Sequence, residues 1–160
     1  MVADFALRKA ADVARQLKDK NEKRPALLIA CDTIAECEGA ILGKPRDEEH
    51  AHEMLRTLRG QIHRVYSGLC IWPFHASAHD SSPQTRIDVT ELSMDGVSDD
   101  KLDDYLASGL WRGKAGAFGY QDRVGWLHIL RGSESNVIGL PMELLAEMLT
   151  PWQRDAATEP

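Results

Sequence analysis

Positive charge is scarce in this sequence: among 160 residues, 19 Lys and Arg stand against 25 Asp and Glu, for a formal net charge of −6. A chain that grips nucleic acid without regard to its sequence needs a basic footprint, so that class is excluded. No apolar run approaches the roughly 20 residues needed to cross a bilayer, so no membrane span is expected. Residues Met1 to Asp4 open into an amphipathic pattern rather than an apolar signal core, which points to the cytoplasm. Cysteine is also sparse. Cys31, Cys37 and Cys70 lack CxxC spacing, and two of them sit inside apolar runs, as buried, reduced small hydrophobes do.

Other signatures are missing as well. There is no internal repeat, low-complexity tract or linker, and no glycine spacing of the P-loop or dinucleotide type. His50 and His52 point to different sides of a helix, and His75 and His79 lie in a polar loop without further ligands, so no zinc set forms. Neither a Cys-His nor a Ser-His nucleophilic arrangement has a local signature. What is present is an ordinary apolar share of 43% and charged share of 28% in a length suited to one self-sufficient core.

Phe5, Ala6, Ala10, Val13, Ala14 and Leu17 recur at helical spacing, with Asp4 as the expected N-cap. The continuous apolar run from Ala26 to Cys31 predicts a parallel strand covered on both faces and ending on Asp32. Gly39 and Gly43-Lys44-Pro45 mark a turn, and Asp47 caps a helix with core residues Met54, Leu55 and Leu58, stopped by Gly60. Residues Ile62 to Trp72 and Thr85 to Leu92 predict an antiparallel pair joined by the polar loop Pro73 to Pro83. Ser98 caps a short helix with Leu102, Tyr105 and Leu106 inward and a solvated acidic face. The glycine-rich segment Arg112 to Gln121, a strand through Trp126, Leu127 and Ile129, and a helix from Met142 to Leu149 follow, with Pro141 at its first position and Pro151 blocking its continuation. These elements predict one α/β domain over residues 1–150, with a mixed twisted sheet flanked by helices and a flexible tail over 151–160.

Asp32, at the end of a buried strand, stands where open α/β sheets form a ligand crevice, although a turn or cap aspartate beside Thr33 is an equal alternative. Lys44, fixed between Gly43 and Pro45, is a candidate phosphate partner, against the plainer reading of a solvated surface charge. The glycines of Gly113 to Gln121 allow main-chain N–H groups close to a ligand, and Gln121 offers both donor and acceptor; alone, this segment also suits a plain turn-rich connection.

Together these segments resemble the Maf family, also called septum formation inhibitor proteins, which are nucleoside triphosphate pyrophosphatases. The matching stretches are Cys31-Asp32-Thr33, Ile41 to Pro45, Leu58 to Gly68, Lys114 to Gln121 and Gly132 to Pro141, in register from about Ala6 to Leu149. The resemblance implies a Maf/inosine triphosphatase-like fold and hydrolysis between the α- and β-phosphates of a nucleoside triphosphate, giving a monophosphate and pyrophosphate with a divalent cation, Mg²⁺ or Mn²⁺. Carried across by motif, Asp32 resembles the catalytic proton acceptor and could equally ligate the metal. Thr33 and Gln121 match positions tied to base choice, Lys44 and Lys114 match lysines that meet phosphates, and Lys9 matches the lysine of the helix before the strand. The Asp-Thr pair with glutamine at 121 is similar to members acting on dTTP and UTP.

The chain departs from the family pattern where an initial strand, a Ser/Arg-rich phosphate loop and an acidic residue would precede Ala6, so the expectation is an exposed sheet edge and reduced turnover. Gly113 stands where an acidic residue is common, and Asp122 where glycine is. The alternative to an enzyme is a nucleotide-binding regulator of division with weak or no turnover; a ligand-free remnant is a third reading. Family members often dimerise, which leaves a homodimer open.

Overall fold

The computed structural model describes residues 1–24, 26–74 and 82–156. Its centre is a five-stranded sheet in the order β2-β1-β3-β4-β5, where β1 is Ala26–Cys37, β2 Ala40–Leu42, β3 Ile62–Phe74, β4 Gln84–Met94 and β5 Leu127–Arg131. Helices α1 (Val2–Asp19), α2 (Glu48–Leu58), α3 (Asp99–Ala107), α4 (Glu134–Ile138) and α5 (Met142–Ala156) flank it. The single α/β domain stands as expected, but the sheet is not mixed: every pairing among the described residues is antiparallel.

The run Ala26 to Cys31 shows why. Its register places Ala30 opposite Cys70 and Cys31 opposite Leu69. Ala30 and Cys70 pack on Ala6 and Ala10 of α1, whereas Cys31 and Leu69 pack on Leu144, Leu145 and Met148 of α5. A helix lies against each face, although the run is only partly buried and Ile29 is 45% exposed; contact on both faces is all that a continuous apolar run reports. The direction of its neighbours is set by chain connection: a two-residue turn, Glu38 (φ 51°) and Gly39 (φ 84°), sends β2 back along β1. β1 therefore continues to Cys37, and Asp32 lies in mid-strand rather than at a strand's end. Since β2 reaches only the level of Ala35, the outer edge of β1 from Ala26 to Ile34 has no strand partner among the described residues.

α1 begins at Val2 with Met1 in the capping position; Asp4 sits in its first turn and pairs with the terminal ammonium at 2.9 Å instead of capping. This helix lies unusually close to the sheet. A Cβ on Gly68 would stand 2.3 Å from the carbonyl carbon and oxygen of Val2, so only glycine lets the first turn of α1 rest on β3. Asp47 caps α2 as expected, its carboxylate accepting from His50 N–H at 2.8 Å. The largest core joins α2 and α3 to the sheet through Leu55, Leu58, Leu92, Leu102 and Leu106. α5 runs through Pro151 to Ala156, since a proline removes only one helical hydrogen bond and the helix is near its end. His75, His79 and residues 157–160 of the expected tail lie outside the described residues.

Candidate active site

At the free edge of β1 opens a cavity of about 370 Å³. Asp32 and Thr33 come from adjacent strand positions and so point to opposite faces of the sheet; both line the cavity because it wraps the edge that β2 leaves uncovered. Lys9, Lys44, Lys114 and Gln121 line it too, so all of the residues singled out in the sequence meet there. Three lysines thereby line one cavity with Asp32 in a chain of net charge −6, and Lys9 is the one paired with it.

Each arrives by a separate route. Lys9 projects from α1, held down by Gly68, and its ammonium lies 2.5 Å from Asp32 Oδ1 while donating to the Cys31 carbonyl at 3.0 Å. Lys44 follows β2, and Gly43 C=O accepts from Gly116 N–H at 3.0 Å, tying that turn to the glycine-rich segment. Lys114 opens this segment, which forms two short 3₁₀ turns, Ala115–Ala117 and Tyr120–Asp122, the second carrying Gln121.

On the opposite face, Thr33 and Ser67 share a hydrogen bond of 2.7 Å, and Ser67 Oγ donates to Asn136 C=O at 3.3 Å. Asn136 is fully buried and donates to Thr90 Oγ1 at 2.9 Å, and Thr90 in turn accepts from Ser133 N–H at 3.1 Å. This network pins the short α4 against β3 and β4, which brings Val137, Ile138 and Gly139 into the cavity wall. Burial raises the thiol of Cys31, beside Thr33, above its ordinary range, so it stays protonated and unreactive at neutral pH.

Sequence reasoning missed two residues. Asp122, noted only as a departure from glycine, accepts from Lys114 through both carboxylate oxygens and from Tyr105 O–H at 2.6 Å. His63, quoted within a motif but given no role, lines the cavity from β3 and is 5% exposed. A short acidic side chain after Gln121 and an imidazole at an inward strand position were the available signals.

The donor set bears on a metal. Among the described residues Asp32 is the single carboxylate lining the cavity, and no cluster of three His, Cys, Asp or Glu forms. An all-protein cage is thus not built, whereas one carboxylate completed by substrate phosphates and water is a set that Mg²⁺ accepts. The cavity fits a cation brought in with a phosphate ligand.

The family model described as Maf-like protein matches residues 1–152. This chain belongs to the Maf family. Among curated relatives, a protein of Rhodopirellula baltica named dTTP/UTP pyrophosphatase is 46% identical over 157 residues, covering 98% of this chain and 65% of its own length. Proteins with the same name from Pelotomaculum thermopropionicum and Pyrococcus horikoshii are 38% and 34% identical, covering 93% and 88% of this Maf chain and 73% and 74% of their own lengths. The Maf chain therefore spans about two thirds to three quarters of the relatives it matches. No helix among the described residues is long and apolar enough to cross a membrane.

Proposed function

We propose that this Maf chain is a nucleoside triphosphate pyrophosphatase of the nucleotide pool in the cytoplasm, acting on dTTP and UTP. The observation that carries this reading is that Lys9, paired with Asp32, lines one cavity together with Lys44 and Lys114. Fixed ammonium groups stabilise charge that spreads over phosphoryl oxygens, and a partly enclosed cavity strengthens each contact. Asp32 takes the proton of the attacking water as its oxygen bonds to the α-phosphorus; the bond from that phosphorus to the bridging oxygen breaks, and pyrophosphate leaves. A base so placed contributes on the order of 10²–10⁴ in rate. A divalent cation bound by Asp32 and the phosphates would supply further neutralisation of the triphosphate. Thr33, held by Ser67, and Gln121 are proposed to contact the nucleoside.

The names of the relatives support dTTP and UTP as the substrates. The intact Lys9–Asp32 pair favours an enzyme over a regulator without turnover, since mere binding of a polyanion gains nothing from a carboxylate among the cations. Pyrophosphate release from dTTP, UTP, CTP, GTP and ATP, with Mg²⁺ or Mn²⁺, tests the reading against the Asp32→Asn variant. Release preferring dTTP or UTP and lost in the variant supports it; release unchanged in the variant overturns it.

A further inference from the structure

The cavity is polar at one end and apolar at the other. Asp32 is level with Gly68 on β3, and Lys9 sits on Asp32. Leu42 of β2 is level with Ala35, and Lys44, two residues further on, lines the same cavity as Asp32. His63 lies five residues from Gly68 along β3, about 17 Å at the usual strand rise. It stands opposite Leu92, and with Val65, Leu58 and Leu127 forms the far wall.

At this far end His63 Nδ1 is buried and has no hydrogen-bond partner among the described residues. A buried polar nitrogen left unpaired is costly; Nδ1 is closed off from solvent, so it reaches the cavity that the His63 ring lines only when the ring turns toward an entering partner. A neutral imidazole presents one acceptor and one donor nitrogen. Burial lowers the basicity of His63, more than the Gln61 carbonyl and Glu36 carboxylate raise it, so the neutral form prevails at neutral pH.

We propose that His63 reads the nucleobase: its Nδ1 hydrogen-bonds the imide edge of a uracil or thymine lodged among Leu58, Val65, Leu92 and Leu127, while the triphosphate lies against Lys9, Lys44 and Lys114. This rests on the nucleotide reading of the cavity given above. The imide edge suits the site because its N3–H is flanked by carbonyl oxygens, so it serves either tautomer of the ring. The apolar walls accept the faces of the base; His63 shares the sheet face of Ser67 and Thr33, and the sugar spans the levels between, where the cavity wraps the edge of β1 to reach Asp32 on the other face.

The test measures binding by the whole chain of a dTTP analogue with a methylene in place of the α,β-bridging oxygen, beside inorganic tripolyphosphate as a base-less probe. His63→Leu is expected to weaken the analogue on the order of tenfold and leave tripolyphosphate unchanged, with His63→Gln restoring part of the loss. In the unsubstituted protein, the ¹⁵N resonance of His63 Nδ1 is expected to move with the analogue and not with tripolyphosphate, an outcome readable even if the variants fail to fold. Equal loss of both probes, an unaffected analogue, or an unmoved resonance with analogue bound overturns the role of His63 and leaves the nucleotide reading intact. Should the unsubstituted protein bind tripolyphosphate but gain nothing from the nucleoside, or bind neither probe, the nucleotide reading itself falls, and this inference with it.

Discussion

Lys114 turns its ammonium onto Asp122, 2.5 Å from Oδ2, although it belongs to the cavity wall. The Asp122 side chain is only 5% exposed and that of Lys114 20%, so this is a largely buried pair whose halves depend on each other. Replacing Asp122 by Asn is expected to lower stability by about 2–3 kcal/mol, less than for a wholly buried pair because Lys114 retains some water. The freed ammonium becomes available to phosphates. Tighter tripolyphosphate binding alongside a lower Tm is the expected pairing, checked by calorimetry and thermal melting.

Tyr105 donates to the same carboxylate, and its phenol is raised well above its ordinary value near 10, first by burial and then by Asp122. Above pH 10 the unfolded chain releases this proton while the folded chain keeps it. The stability from this group is therefore whole below pH 10 and is lost as pH rises beyond it. Melting temperatures from pH 8 to 11 should fall more steeply in the unsubstituted protein than in Tyr105→Phe, which has no proton to lose.

Asp32→Asn is expected to reduce pyrophosphate release by roughly 10²–10⁴ while nucleotide binding survives, because the amide keeps the shape and loses the base. Lys9→Met should act differently. The Lys9 side chain is 55% exposed, so its ion pair contributes at most about 1 kcal/mol to folding. Its loss should appear as roughly tenfold weaker triphosphate binding with little change in Tm. Binding isotherms and melts of both variants check the contrast.

Gly68→Ala probes the seating of α1. The added methyl would collide with the backbone of Val2, which cannot move aside as a flexible side chain can, so about 3 kcal/mol of destabilisation is expected, at the upper end for overpacking. Because the shift carries Lys9 away from Asp32, turnover at saturating nucleotide should fall as well. Denaturant unfolding and kcat measured on one preparation check this; full activity with a displaced α1 would separate the helix from the site.

Helices α2 and α3 were legible because their periodicity and caps are local: Asp47 captures His50 N–H within its own turn. The β3–β4 pair was legible as a pair, but the alternation in Thr85 to Leu92 set Ile87 and Val89 on an apolar face that is exposed, and the covered face carries Thr90, Leu92 and Met94. Lys9, Asp32, Thr33, Lys44, Lys114 and Gln121 were legible through their motifs, and the fold gathers them in one cavity. The parallel strand was misread because a continuous apolar run reports burial on both faces and is silent on the direction of its neighbours. α4 went unseen since five residues carry too little periodicity to register.

The sequence by itself determined where chain segments turn, which faces become apolar, and which lysines and carboxylates stand in the family's motifs, all of which follow from spacing within a dozen residues. Only the tertiary structure decided that Asp32 lies in mid-strand beside Lys9, that Asp122 holds Lys114, and that His63 is buried without a partner among the described residues. Those relations join residues from separate elements, and the partner of a charge or a buried nitrogen depends on which backbone folds against it.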